Sequence, residues 1–515
     1  MKPPFSRTLP ALLEEQAEQH GDSIAVIAGD RDHSYAQLAF RARQIAASLR
    51  AHGIRRGDRV AIFLGNRIEW LEICFGALAA GAVVVPVSTW SKPDELDYIL
   101  GDSGAKLLFA SAAIGKEDWA GRLRTLLPTL PHLRKLIIVG DAPADLDCTP
   151  YADLFTGHSV DLPPGDGPSA ADDALILYTS GSTSKPKAVR LAHYGLIENG
   201  FNIGERMALG PSDRVFASIP MFWAYGAANA LPATFTHGAT LVLQDRFEPG
   251  EALGLIECHR CTVIYTLPTM TTALIQHRDF RPERTDSLRT GLTIGTAQNL
   301  VDAATILGVR EICNIYGSSE TYGNCCVTPS DWPLDRRAAS QGPPLPGVSL
   351  RLADQEIQVH GYITPGYGGQ SAVHNAAVFT DDGWYRTGDL GQLTEDGDIV
   401  FVGRNSEMIK RSGINVSPAE VEDVLARHDA VLHAGVVGIP DEAKGEVIIA
   451  FVVAAEGVAE ADLMAHCRRV ASSYKIPDRI EFRDALPVTA TGKLLRQSLK
   501  QDALILPPRE MIHAR

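Results

Sequence analysis

No stretch of the 515-residue chain is long and apolar enough to span a membrane. The longest apolar run, residues 73–87, falls short of the roughly 18 residues a spanning helix needs, and Gly76, Gly81 and Pro86 interrupt it. It reads as a buried helix end turning into a core strand. The first twenty residues carry acids and lack a long apolar core, so they do not read as a secretory signal, and a cytoplasmic enzyme is expected. Cysteine is scarce: eight residues in a chain without such a signal argue for reduced thiols and not a disulfide framework. Cys258 and Cys261 bracket His259 and Arg260 like half a metal site. No second pair lies near them, however, and a structural role is expected. Positive charge is also short. With 48 Lys+Arg against 62 Asp+Glu, the net charge of −14 works against attraction to nucleic acid or anionic membrane and favours a small-molecule partner. Internal repeats and low-complexity tracts are absent.

What is present is alternation. Helical and strand periods follow one another through the first half, the pattern of helix-covered parallel sheets. In residues 34–53, Ser34 and Gln37 form a capping box, Leu38, Ala42, Ile45 and Leu49 make an apolar stripe, and Gly53 suits the C-terminal cap; residues 60–64 then read as a core strand. The expected fold is α/β: a large N-terminal body of helix-covered sheets, with an irregular β region over the Gly- and Pro-rich residues 342–369. A smaller, mobile C-terminal α+β domain follows. The expected division is 1–404 and 405–515.

The strongest local signal is YTSGSTSKPK at residues 178–187, directly after an apolar strand. Hydroxyls and backbone N–H groups of a Gly-containing turn can wrap phosphate oxygens, while Lys185 and Lys187 supply compensating charge. The Walker spacing is absent. A flexible linker would not follow a core strand or carry Lys-Pro-Lys, so the segment reads as a polyphosphate loop.

With this loop the chain resembles the acyl-adenylate-forming superfamily of acyl-CoA ligases, carrier-protein adenylation domains and luciferases, and it is most similar to stand-alone acyl-CoA ligases. The resemblance runs nearly end to end, through YGSSET at 316–321, YRTGDL at 385–390, Gly403-Arg404, IKRSG at 409–413 and PVTATGK at 487–493. It implies an ATP site formed by Thr179, Ser180, Gly181, Ser182, Thr183, Lys187, Gly295, Thr296, Ala297, Tyr316, Gly317, Ser318, Ser319, Asp389 and Arg404. Glu320, a hard oxygen ligand, suits Mg²⁺ held against triphosphate. Tyr316 resembles the residue flanking adenine, and Asp389 and Arg404 those at the ribose. Lys493, Glu320 and Thr179 are the implied catalytic residues, with Lys493 meeting charge that develops during adenylation. Ser406 matches the hinge, where the family usually carries Asp or Lys.

The implied acyl pocket comprises Trp223, Tyr225, Gly226, Tyr322, Gly323 and Cys325, with Asn324 beside it; for Cys325 and its neighbour Cys326, pocket lining and simple packing both stand. Trp223 cannot pair with an ammonium as an Asp would, which favours an uncharged acid tail over an amino acid. Aromatic, alicyclic and medium aliphatic acids all remain open. Arg411, Gly413, Lys444 and Lys475 match positions that would bind coenzyme A. Other departures are Ser184 and Ala188 in place of Gly, Ser319 in place of Thr, and a short stretch at 353–359. The expected activity is ATP-dependent acid–CoA ligation through an acyl-adenylate. Loading of a separate acyl carrier protein, or a non-catalytic nucleotide-binding homologue, are the alternatives.

Overall fold

The capping signals at residues 34–53 produce the helix Tyr35–Ala51. Ser34 Oγ accepts the Gln37 N–H and Gln37 Oε1 accepts the Ser34 N–H. Its stripe of Leu38, Ala42, Ile45 and Leu49 is buried against the helix Ile68–Ala79. The approach is close: a Cβ on Gly76 would lie 2.6 Å from Ile45. The apolar run at 73–87 is the end of this second helix followed by the strand Val83–Pro86, as its punctuation predicts.

The computed structural model describes residues 1–111, 119–141, 143–144, 146–155, 167–179, 185–411, 414–441, 444–488 and 494–506. Four sheets organise them. The first has the order Cys326–Val327, Glu311–Tyr316, Thr290–Thr293, Val263–Tyr265, Arg214–Ala217, Thr240–Leu243, Ile24–Ala28, Arg31–Ser34. It is parallel except at its two edges. The second runs Tyr367–Gly368, Lys187–Ala192, Asp173–Thr179, Val83–Pro86, Arg59–Phe63, Leu107–Ala110, Lys135–Ile138, Thr149–Pro150. From Asp173–Thr179 onward its neighbours are parallel, and Lys187–Ala192 folds back antiparallel.

Strand alternation divides the core. Val60 and Ile62 face a central apolar cluster that also takes Val215, Ala217 and Leu241 of the first sheet, whereas Ala61 and Phe63 face an outer cluster with Trp119 and Leu123. Burial on both faces is what parallel sheets under helices require. Asn66 ties the two large sheets together. Its amide donates to Ile219 O (2.9 Å) and Gln244 O (3.1 Å), and its Oδ1 accepts the Met221 N–H (2.8 Å).

The region expected to be irregular is more regular than its glycines and prolines suggest. Ser349–Ala353 and Glu356–His360 form an antiparallel hairpin. Asp354 and Gln355 turn it with φ of +50° and +67°, the conformation two-residue hairpins favour. The short stretch at 353–359 is therefore a two-residue turn that leads into the strand Glu356–His360. Tyr385–Leu393 and Ile399–Arg404 complete this third sheet. The fourth sheet lies wholly within the C-terminal segment: Ile414–Val416, Ile409–Arg411, Gly445–Ala454 and Val431–Asp441, with Arg479–Phe482 parallel to Gly445–Ala454. Ser417 caps the helix Pro418–Ala426 as its sequence predicts. Cys258 and Cys261 flank the end of the helix Pro249–His259, where Arg260 adopts φ +47° and Cys261 is buried. No helix among the described residues is long and apolar enough to cross a membrane.

Candidate functional site

The parallel strands of both large sheets end in the segments that carry the site, as expected for ligands of α/β sheets. Thr179 closes its strand and is the register partner of Lys187 on the returning strand. Ser180, Gly181, Ser182 and Thr183, together with Ser184, lie outside the described residues. The flanks of the loop are firmly rooted. Tyr178 donates to Asp102 Oδ2 (2.8 Å), whose Oδ1 accepts the Gln370 N–H (2.7 Å). Lys185 Nζ lies 5.2 Å from the Tyr98 ring centroid, and Lys187 Nζ lies 5.4 Å from that of Tyr367.

Glu320 sits in a short 3₁₀ turn, Ser319–Thr321, that Ser318 enters in an extended conformation. The turn follows directly on the strand Glu311–Tyr316. Gly317 is needed here, because a Cβ would lie 2.5 Å from Asn324 Cα. The Glu320 carboxylate is buried, and its Oε1 accepts the Tyr367 phenol O–H at 2.8 Å. Its backbone carbonyl accepts the Thr364 N–H at 2.6 Å. Tyr385 adds a second buried phenol close to Tyr367 and Glu320. Burial, reinforced by the Glu320 charge, pushes both phenols above their ordinary range, so they remain neutral donors. A buried carboxylate with one oxygen held in place suits a hard divalent cation.

Asp389 is the second acidic centre. Tyr316 donates to its Oδ2 at 2.9 Å, and Arg404 Nε lies 3.1 Å from its Oδ1. Burial pushes the Tyr316 phenol well up and the Asp389 charge adds to this. Burial works against the Arg404 charge, but Asp389, then Glu407 and Glu320, hold its pKa above the usual value. The Tyr316 ring stacks on Phe401 with centroids 5.8 Å apart. The structure thus brings Tyr316, Asp389, Arg404 and Glu320 into one electrostatic cluster. Thr296 caps the helix Ala297–Thr305, bonding reciprocally with Asn299; Gly295, at φ +138°, precedes it where a Cβ would lie 2.7 Å from Asn299 Oδ1.

The implied acyl pocket divides into two parts. Trp223 and Phe222 meet Trp90 edge to face, at centroid distances of 5.0 and 5.4 Å. Trp90 follows the strand Val83–Pro86 and carried no sequence signal of its own. Tyr225 and Gly226 begin a π-helical segment, Ala224–Ala230, a form frequent at functional sites. A Cβ on Gly226 would lie 2.3 Å from Pro220 O. Tyr322, by contrast, is fully buried and committed to packing: its phenol oxygen accepts the Ala192 N–H at 3.0 Å, and a Cβ on Gly195 would meet its ring at 2.2 Å. Gly323, at φ +96°, abuts Asn229, and Cys325 is buried with its Sγ 3.6 Å from Tyr316 O. Asn229 Nδ2, also buried, has no hydrogen-bond partner among the described residues.

The residues matched to coenzyme A have local partners. Arg411 is buried. It donates to Tyr474 O and Ile476 O and shares Asp478 Oδ1 with Lys444, both at 2.7 Å. Lys475 lies 3.2 Å from Glu420. Gly413 and Lys493 lie outside the described residues, although Val488 and Leu494, on either side of residues 489–493, form an antiparallel bridge. Ser406 occupies the 3₁₀ turn Asn405–Glu407, between the last strand of the third sheet and the first segment of the fourth. Arg496 Nε lies 3.0 Å from Glu407 Oε2, and the same guanidinium pairs with Glu422. Tyr367, Asp102 and Trp90 are not among the expected site residues, and Tyr385 is expected only as the first residue of the YRTGDL motif. The one usable signal for Tyr367 was its place as a lone aromatic among Pro365, Gly366, Gly368 and Gly369.

Comparison with known proteins identifies the family. Residues 13–380 match the family model described as AMP-binding enzyme, and residues 420–493 match AMP-binding enzyme C-terminal domain. The chain is 33% identical to a methyl-dioxo-octahydroindenyl-propanoyl:CoA ligase of Mycobacterium tuberculosis (strain ATCC 25618 / H37Rv), over 96% of this chain and 99% of the relative. It is 32% identical to feruloyl-CoA synthase of an Amycolatopsis species, over 94% and 97%. The crystal structure of the anthranilate CoA ligase AuaEII in complex with anthranoyl-AMP superimposes with a TM-score of 0.89 at 26% identity, covering 98% of this chain and 99% of that one. With a family model matching residues 13–380 and relatives above 30% identity over nearly the whole chain, the chain belongs to the AMP-binding enzyme family.

Proposed function

We infer that the protein is an AMP-forming acid–CoA ligase whose two half-reactions share one site. The observation that carries the assignment of roles is the cluster of Glu320, Tyr316, Asp389 and Arg404 beside the rooted flanks of the phosphate loop. In the first half-reaction the substrate carboxylate attacks the α-phosphorus of ATP and pyrophosphate leaves. In the second, the coenzyme A thiolate attacks the acyl carbonyl and AMP leaves. Glu320 would hold Mg²⁺, which when bound offsets charge on the triphosphate. Thr179 and Lys187, opposed across the hairpin, receive the phosphates; Asp389 accepts ribose hydroxyls beside Arg404, and Tyr316 borders adenine. The first half-reaction needs little proton transfer, because the attacking carboxylate is already anionic; in the second the coenzyme A thiol gives up its proton to solvent before it attacks.

The aromatic corner of Trp90, Phe222 and Trp223 favours a ring-bearing acid with an uncharged tail, since flat apolar walls stack on rings and offer no counter-charge. Two of the similar proteins act on bulky or aromatic acids by their names. The body, 1–404, and the smaller unit, 405–515, turn about Ser406, which brings Lys493 to the carboxylate for adenylation. Support for this division comes from the sheets, none of which crosses residue 405.

The test is product analysis after incubation with Mg-ATP and a panel of aromatic, alicyclic, aliphatic and amino acids, with and without coenzyme A. Acyl-CoA plus AMP from a ring-bearing acid is the expected result. Acyl-adenylate that persists despite coenzyme A would redirect the acceptor to a carrier protein, and ATP binding without acid-dependent pyrophosphate release would overturn the ligase reading. Lys493→Ala is expected to slow adenylation on the order of a hundredfold or more; an unchanged rate would remove that residue from the mechanism.

A further inference from the structure

We propose that Tyr367 is a positioning residue that sets the metal affinity of the ATP site by holding Glu320 and Lys187 from one side chain. The inference rests on the reading of Glu320 as the group that holds Mg²⁺.

The two charged residues come from different sheets. Glu320 follows the strand Glu311–Tyr316 of the first, and Lys187 begins the returning strand of the second. Backbone hydrogen bonding within either sheet therefore does not fix the distance between them. Tyr367 spans the gap. Its phenol donates to Glu320 Oε1 at 2.8 Å, and the Lys187 ammonium lies over its ring, 5.4 Å from the centroid, within the range of a cation–π contact. A phenol donating to a carboxylate fixes the rotation of that carboxylate and leaves the second oxygen to ligate; partners of this kind tune ligand geometry and metal affinity.

The backbone around Tyr367 is built to hold that position. Tyr367–Gly368 pairs antiparallel with Ala188 and Val189, immediately after Lys187. The Tyr367 N–H donates to Asn375 Oδ1 at 2.7 Å, and Asn375 Nδ2 donates to Tyr367 O at 3.1 Å. Three residues earlier, Thr364 N–H donates to the Glu320 carbonyl, and its hydroxyl donates to Arg190 O at 2.6 Å. Two residues later, Gly369 adopts φ +53° and leaves room for Asp102, the carboxylate that also roots Tyr178; a Cβ there would lie 2.1 Å from Asp102 Oδ2. Residues 364–375 thus form a strap across the two sheets, with Tyr367 at its centre.

Tyr367→Phe removes the hydrogen bond and keeps the ring over Lys187. Titrating Mg²⁺ into protein and ATP, with binding read by calorimetry in the absence of acid, should show the half-saturating Mg²⁺ concentration rising roughly tenfold or more. Glu320→Gln should raise the Mg²⁺ requirement further, and Tyr367→Phe added to it should have no additional effect. An unchanged Mg²⁺ requirement in Tyr367→Phe, where Glu320→Gln does raise it, overturns the positioning role alone. If Glu320→Gln also leaves it unchanged, the metal reading of Glu320 falls with it. Additive effects in the double variant would likewise overturn the proposal, and they can be read even if Tyr367→Phe lowers overall stability.

Discussion

His193 illustrates how much a single buried side chain decides. It lies at the start of the helix His193–Arg206, fully buried, with Nδ1 accepting the Leu9 N–H at 3.2 Å and Nε2 unpartnered among the described residues. An accepting Nδ1 requires the neutral ring, and burial lowers its pKa from 6.5 to about 4. Between those values the unfolded chain binds a proton that the folded chain refuses. Stability is therefore fully present above pH 6.5 and falls as the pH drops toward 4, by about 3 kcal/mol across the window. His193→Gln should lose less melting temperature between pH 7 and pH 4.5 than the wild type; equal losses would show that His193 does not drive the acid sensitivity. Legibility in the sequence varied at this scale with the kind of signal. Glu320, Asp389 and Arg404 sit inside ordered motifs, and the structure brings them into one cluster with Tyr316. Tyr367 and Trp90 act through contacts with residues far away in the chain, which no local spacing encodes. Tyr322 shows the reverse: it stands inside a motif, yet its ring fills space left by Gly195.

At the scale of elements, local rules did well wherever one stretch supplies all its own partners. The helix Tyr35–Ala51, its capping box, and the helix Pro418–Ala426 behind Ser417 follow directly from their residues. Residues 342–369 misled because glycine and proline signal turns without saying that strands lie between them. Joints between elements leave even less trace. Asn66 is one such joint, bonded to backbone groups at 219, 221 and 244. Asn66→Ala would strand two carbonyls and an N–H in a buried seam, at a cost of about 3 kcal/mol. Because Met221 precedes Phe222 and Trp223, the variant should also raise the KM for the acid. An unaltered melting temperature would show that the seam is held by apolar packing alone.

For the molecule as a whole, the order of motifs implies two units, and a short turn containing Ser406 lies between strands of the third and fourth sheets. Restricting that turn should separate the half-reactions: with Ser406→Pro, one of acid-dependent pyrophosphate exchange and thioester formation should stay near wild type while the other slows by about tenfold or more. Equal loss, or none, would argue against rotation at this point. The Arg496 guanidinium adds a mechanical consequence. It grips Glu407, the residue after the pivot, and Glu422 on the neighbouring helix, while Leu494, two positions before it, is bridged to Val488. Arg496 thus ties Glu407, beside the proposed pivot, to the helix Pro418–Ala426, and it stands two positions beyond Leu494, the described flank of residues 489–493. In the proposed rotation the two described flanks of residues 489–493 would therefore travel with the turn as one piece.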